Sequence, residues 1–201
     1  MIKTIIADDH LLYLKGLELT LTCSGKYKVV AAVTNGIELV EVSKKTAADL
    51  IVIDFRMPLL NGLDALLKLK EKKQTKLVFV TAHADEWLIA EAKVLNVSGV
   101  ICKTADESLL ISLLDKVMQG EKVFPSDEDI YNRYYEPLKK KFNLTNKEAG
   151  VIRAIRNGLD VNEIAVKSNV TTETVKKQKK NAFAKLGIKK VTLLGQLFDR
   201  L

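Results

Sequence analysis

Five short runs of β-branched and aliphatic residues recur through the first 120 positions, and segments of helical period separate them. The runs lie at 3–7 (KTIIA), 28–33 (KVVAAV), 50–53 (LIVI), 77–80 (LVFV) and 97–102 (VSGVIC). Between them stand LLYLKGLELTL, IELVEVSKK, LDALLKLKEKK and WLIAEAKVL, and SLLISLLDKVMQG follows the fifth. A run that is apolar at every position must be covered on both faces. Strands that alternate with helices pair in parallel, because each helix carries the chain back over the sheet. The pattern predicts an α/β fold: a five-stranded, doubly wound parallel sheet with right-handed crossovers.

The alternation stops near residue 120. The stretch 121–141, EKVFPSDEDIYNRYYEPLKKK, holds two of the three prolines, an acidic triplet and three tyrosines. It reads as an interdomain linker containing a short helix that Ile130, Tyr131, Tyr134 and Tyr135 could dock. Residues 142–201 then read as a small all-α domain. Thr145 with Glu148, and Asp160 with Glu163, have capping-box spacing. Gly158 closes the first helix, SNVTT (168–172) makes a turn, and a longer helix runs to about Leu186 before Gly187. A final segment, VTLLGQLFDRL, places apolar residues at 191, 194, 197, 198 and 201.

Charge divides the chain at the same place. The net charge is +7, but residues 139–201 hold 15 Lys+Arg against 5 Asp+Glu, so the acidic excess lies before them. A basic second domain suits a polyanion. No apolar stretch is long enough to span a bilayer, and no signal region opens the chain, so a cytoplasmic protein without a membrane partner is expected. Cys23 and Cys102 have no metal-ligand spacing and read as small buried hydrophobes.

In a doubly wound sheet, functional groups gather at the carboxyl ends of the strands, beside the point where strand order reverses. Here the first run ends on Asp8 and Asp9, the third on Asp54, the fourth on Thr81 and the fifth on Lys103. Each has an ordinary reading alone: a helix cap, a turn residue, a surface lysine. Together they put three carboxylates, a hydroxyl and an ammonium on one crevice. Three such carboxylates call for a hard divalent cation such as Mg²⁺. A carboxylate can also attack phosphorus, and Asp54, alone at a central strand end, is the candidate nucleophile. Thr81 and Lys103 could then stabilise the phosphoryl oxygens.

The residues DDH, the D-x-R-M-P of Asp54–Pro58, Asn61-Gly62, the T-A-H of Thr81–His83 and the late Lys103 resemble the receiver domain of bacterial two-component response regulators, across residues 1–120. The resemblance implies a flavodoxin-like fold and phosphoryl transfer from a sensor histidine kinase to Asp54. It implies Mg²⁺ held by Asp9, Asp54, Asp8 through water, and the backbone carbonyl of Arg56. Thr81 and Lys103 take the family's switch and phosphate-contact roles. Arg56 and His83 occupy positions that tune phosphoryl lifetime, and His10 reads as a helix-start residue. Where the family usually carries a switching aromatic, three residues before the lysine, this chain has Val100.

In the basic domain a helix around EIAVKSN, a turn, and TTETVKKQKKNAFAKLG follow one another. On the second helix Val175, Ala182 and Leu186 share one side, while Lys176, Lys177, Lys179 and Lys180 spread over an arc of roughly 160°. A helix docked by one edge and cationic along the other can enter a major groove. The series L-T-N-K-E, E-I-A, T-V-K and K-L-G resembles the LuxR/NarL-type helix-turn-helix. The resemblance implies double-stranded DNA as partner and marks Lys176, Lys177 and Lys180 as the best contacts, with Lys179, Thr171 and Thr174 behind them. It also implies a homodimer on DNA, formed through the last helix; that helix could equally pack on its own domain. Gln178, Ala182 and Val161 depart from the family pattern without removing the motif.

The whole therefore reads as a LuxR/NarL-type response regulator and not as a turnover enzyme, although the receiver could autodephosphorylate. A haloacid-dehalogenase-type phosphohydrolase is rejected, since its acidic pair is spaced by one residue and a further carboxylate follows its fourth strand. A DNA-binding regulator whose receiver no longer switches by phosphorylation stays open, with Val100 as its support.

Overall fold

A computed structural model of the chain describes residues 1–69, 74–82 and 84–198. His83, and Leu201 of the last apolar segment, lie outside the described residues. The chain divides into two compact units, Met1–Pro125 and Ser126–Leu201.

In the first unit β1 (Ile2–Ala7), α1 (Leu11–Cys23), β2 (Tyr27–Val33), α2 (Gly36–Lys45), β3 (Leu50–Ile53), α3 (Gly62–Lys68), β4 (Lys76–Thr81), α4 (Glu86–Val94), β5 (Gly99–Cys102) and α5 (Glu107–Met118) alternate as the sequence predicts. All five strands are parallel, in the order β2-β1-β3-β4-β5. Every residue of the central β3 is buried, which is why LIVI shows no alternation. The order reverses between β1 and β3, so their carboxyl ends flank the crevice where such sheets bind ligands.

Local chemistry fixes the helix starts. Asn35, Asn61, Asp85 and Asp106 each cap a helix by accepting a backbone N–H in its first turn. The exception is α1: its N-cap, His10, makes no side-chain capping bond. Gly62 opens α3 where the loop passes under β3, and a Cβ there would lie 2.4 Å from the Asp54 carbonyl oxygen. The buried Tyr27 hydroxyl donates to Asp115 Oδ1 at 2.7 Å, tying β2 to α5.

The stretch 121–141, expected as a linker, is divided between the two units. Residues 121–125 lie along the open edge of β5: Val100 N–H donates to the Val123 carbonyl at 2.8 Å, and Val123 N–H to that of Ser98 at 3.0 Å. The Lys122 ammonium donates to the carbonyls of Asn96 and Val97, both at 2.9 Å. An exposed strand edge carries unpaired backbone groups, and this short segment satisfies them.

From Ser126 the chain is helical: α6 (Asp127–Ile130), a π-helical turn (Tyr131–Tyr135) and α7 (Glu136–Lys141). Pro137 explains the wide turn. It cannot donate to the carbonyl four residues back and crowds it, so the helix loosens and Glu136 N–H reaches the Tyr131 carbonyl instead. Ile130, Tyr134, Tyr135 and Leu138 are buried, and the Tyr135 ring meets Phe198 edge-on at 5.4 Å.

Next come α8 (Asn146–Arg156), α9 (Val161–Ser168), α10 (Thr172–Leu186) and α11 (Leu193–Phe198). Both expected capping boxes are present, and a third, Ser126 with Asp129, starts α6. Asn169 (φ +51°) and Gly187 (φ +68°) end α9 and α10 in the left-handed region. Ile152, Ile164, Val175, Ala182 and Leu186 form the buried centre. Lys185 then ties α10 to α8, with its Nζ 2.7 Å from Glu148 Oε2 and 3.0 Å from the Asn143 carbonyl. Burial alone would raise the Glu148 pKa, but Lys185 and the Thr145 N–H hold it below the usual carboxylate range. Among the described residues no helix is long and apolar enough to cross a membrane.

Two glycines give opposite expectations. Gly62→Ala should cost about 2 kcal/mol by overpacking against the Asp54 carbonyl. Gly150, in α8, has nothing within 4 Å of a Cβ, so Gly150→Ala should add about 0.5–1 kcal/mol. Scanning calorimetry of the full chain, following the transition of each unit, checks both.

Candidate functional site

The crevice residues stand one step beyond their strands. Asp8 N–H continues the ladder to the Val33 carbonyl at 3.1 Å, and Asp54 N–H to that of Ala7 at 2.8 Å. Asp8 and Asp54 are thereby side by side at the tops of neighbouring strands, 1% and 4% exposed. Thr81 ends β4, fully buried, and its carbonyl accepts the Lys103 N–H at 2.9 Å.

From β5 the Lys103 side chain crosses over β4, and its Nζ lies 2.6 Å from both Asp8 Oδ2 and Asp54 Oδ2. One ammonium thus bridges two buried carboxylates. The other oxygens have backbone donors: His10 N–H to Asp8 Oδ1 at 2.9 Å, and Arg56 N–H to Asp54 Oδ1 at 3.3 Å. Burial, with the negative charge of Asp8, still outweighs Lys103 and the Arg56 N–H, so the pKa of Asp54 is raised. Asp9 is more open, its side chain 33% exposed.

His10 begins α1, as its position suggested, but its ring also turns into the cluster. Nδ1 is 2.9 Å from Asp9 Oδ1 and 3.3 Å from Asp8 Oδ1. One ligand atom from each of Asp8, Asp9, His10 and Asp54 lies within 4.8 Å of the others. Three carboxylates against one ammonium leave the crevice negative. Oxygen donors of this kind, with one carboxylate open to solvent, fit a hard divalent cation.

Val100 is 1% exposed and pairs with Phe79 across β4 and β5. Tyr13, which the sequence reading did not single out, faces the crevice from α1. Its ring centroid is 4.7 Å from Lys103 Nζ, and burial, then Asp8 and Asp54, push its pKa up to about 12. A groove of about 370 Å³ between α1 and α5 opens beside it, lined by Leu12, Gly16, Ala105 and Leu110 among others.

The second unit carries the cationic surface. Lys176, Lys177 and Lys180 are exposed on α10, while Val175, on the opposite side, is fully buried. Lys179 is half-buried, with its Nζ over the Phe183 ring at 5.5 Å. Thr171 caps α10, its Oγ1 accepting Thr174 N–H at 3.2 Å and meeting Thr174 Oγ1 at 2.8 Å. Both hydroxyls are thus engaged locally. Lys189 was not anticipated: with Lys176, Lys179 and Lys180 it lines a hollow of about 530 Å³ beside α10.

The bridging ammonium has a measurable consequence. Lys103→Met would leave two buried carboxylates facing each other and should destabilise the first unit by about 3 kcal/mol in metal-free buffer at neutral pH. Lys103→Met/Asp8→Asn should recover much of that loss. Chemical denaturation of the three proteins measures it.

Comparison with known proteins agrees with this division of labour. Residues 4–115 match the response regulator receiver domain, and residues 142–196 match the luxR family of bacterial regulatory proteins. Transcriptional regulatory protein YdfI of Bacillus subtilis is 30% identical over 192 residues, covering 93% of this chain and 90% of that protein. Response regulator UvrY of Escherichia coli is 27% identical, with 94% and 89% covered. Among solved structures, the Salmonella typhimurium response regulator RcsB is 25% identical with a TM-score of 0.60, over 98% of this chain and 97% of that one. RcsB in complex with DNA matches at a TM-score of 0.60 and 25% identity, over 96% and 98% of the two chains. With a receiver match over most of the first unit and a luxR match over most of the second, the chain belongs to the two-component response regulators with a LuxR-type DNA-binding domain.

Proposed function

We propose that a sensor histidine kinase phosphorylates Asp54 and that this state governs binding of double-stranded DNA through α10. The observation that carries the reading is the Asp54 carboxylate itself: buried, raised in pKa, and held 2.6 Å from an ammonium that can follow incoming negative charge. An oxygen of Asp54 attacks the phosphorus of a phosphohistidine. The P–N bond breaks, its electron pair stays on the imidazole nitrogen, and the phosphoryl group remains on Asp54 as an aspartyl phosphate. Lys103 exchanges the Asp54 oxygen for a phosphoryl oxygen, and the Thr81 hydroxyl donates to another. Asp9, Asp54, the Arg56 carbonyl and, through water, Asp8 would hold Mg²⁺, which when bound neutralises charge on the phosphoryl oxygens. Arg56 and His83 tune how long the acyl phosphate survives before water removes it.

The receiver function belongs to residues 1–120 and the output to 142–201, joined by 121–141. In the output unit Lys176, Lys177 and Lys180 reach base edges or phosphates, with Lys179, Thr171 and Thr174 contributing less. RcsB has been solved as dimers bound to DNA, which supports a homodimer on DNA here. A cytoplasmic setting follows from a kinase and a chromosome as partners.

Incubation with Mg²⁺ and acetyl phosphate should add one phosphoryl group to the wild type and none to Asp54→Asn, read by intact mass. If wild type gains none from acetyl phosphate or from its kinase, the reading falls and a receiver that does not switch by phosphorylation replaces it. On a random-sequence duplex, Lys177→Ala should weaken binding and reduce the slope of log K against log salt by about one. Fluorescence anisotropy across a salt series reads that slope.

A further inference from the structure

We propose that Tyr13 is a positioning residue for Lys103: its ring holds the ammonium against the Asp8–Asp54 pair and so sets how readily Asp54 takes up a phosphoryl group. The proposal rests on Asp54 being the phosphoacceptor. A lysine ammonium has three N–H donors. One is donated to Asp54 Oδ2, and Asp8 Oδ2 forms an ion pair with the same ammonium, each at 2.6 Å. The Tyr13 ring stands over the same nitrogen at 4.7 Å, well inside the range of a cation–π contact. That contact strengthens as the cation loses water, and the Lys103 side chain is only 11% exposed.

The ring is well placed to hold a position. Tyr13 sits in the first turn of α1, and Leu14, Leu17 and Leu21 anchor that helix in the core. Its other side borders the α1–α5 groove, where Gly16 leaves room and Ala105 and Leu110 provide an apolar wall. On the β5 side the residue three before the lysine is the small, buried Val100, which offers no ring. The aromatic partner of Lys103 thus comes from α1. Without it, the ammonium keeps its two carboxylates but loses the face that fixes its approach, and it meets the incoming phosphoryl oxygens less often in the productive place.

The test compares wild type, Tyr13→Phe, Tyr13→Leu and a full-length chain with pentafluorophenylalanine at position 13. The last keeps the shape of the ring and removes its negative face, so it serves even if the leucine variant does not fold. Two quantities are read: the ring-current shift on the Lys103 CεH₂ protons by NMR, and the rate of phosphoryl gain from acetyl phosphate with Mg²⁺ by intact mass. Wild type and Tyr13→Phe should share the upfield Lys103 signal and agree in rate within about twofold. Tyr13→Leu should lose the signal, and both it and the fluorinated chain should slow about three- to tenfold. Wild-type rates in those two proteins would overturn the proposal, as would equal slowing in Tyr13→Phe. A wild type that gains no phosphoryl group would instead fail the phosphoacceptor reading, and the proposal would fall with it.

Discussion

Two carboxylates buried on adjacent strand tops are tolerable only because a single ammonium stands between them. Asp8 and Asp54 share Lys103 at 2.6 Å, and much of the first unit can be understood as what that bridge requires. The order β2-β1-β3-β4-β5 makes β1 and β3 neighbours and places β5 two strands from β3. A neighbouring strand lies about 4.8 Å away, so a group reaching from β5 must cross twice that distance. Lysine has the length, and the backbone bond from Lys103 to Thr81 sets where the reach begins. The raised pKa of Asp54 shows that the bridge does not fully offset burial. The ionised carboxylate is therefore disposed toward further positive charge, and a crevice with Asp9 open to solvent can receive it.

The same bridge loads β5 from one end while the connector pins it along its edge. Val100 lies between those constraints: its side chain is packed in the core and its backbone N–H is bonded to Val123. A rotating aromatic would let that position change without moving the strand. A valine cannot, since its χ1 is stiff and it is surrounded. Lys103 is then held between the backbone of β5 and the helix that faces its ammonium. Residues 121–125 are bonded to the first of these, and Tyr13 stands on the second.

Much of this was legible because the fold writes itself into runs of residues. A strand buried on both faces must be apolar throughout, so LIVI and LVFV announced themselves, and the groups just past each run had to lie at one end of the sheet. The capping boxes at Thr145 and Asp160 are local and equally visible. What escaped notice depends on neighbours far apart in the chain. Tyr13 lies beside the core-facing positions of α1, where an aromatic is ordinary, and nothing local pairs it with Lys103. His10 signalled a helix start, and only the folded turn brings Nδ1 among the carboxylates. Val123 belongs to a run too short for any period, so 121–125 looked like linker and proved to be sheet edge. The π-helical turn depends on Pro137 acting backwards on residues that read as plain helix.

In the second unit the cationic face is useful only if α10 cannot roll. Its buried side, Val175, Ala182, Phe183 and Leu186, sets the rotation through packing alone, and the small Ala182 leaves that grip lighter than a larger residue would. The Lys185–Glu148 pair adds a directional constraint at the far end, with Glu148 also capping α8. One buried carboxylate therefore fixes the start of α8 and the roll of α10. Because its pKa is depressed, that constraint is fully present above the ordinary glutamate range and is lost only as pH falls through the lowered value. Acid that protonates Glu148 therefore loosens the aim of α10 by removing the charge that Lys185 pairs with.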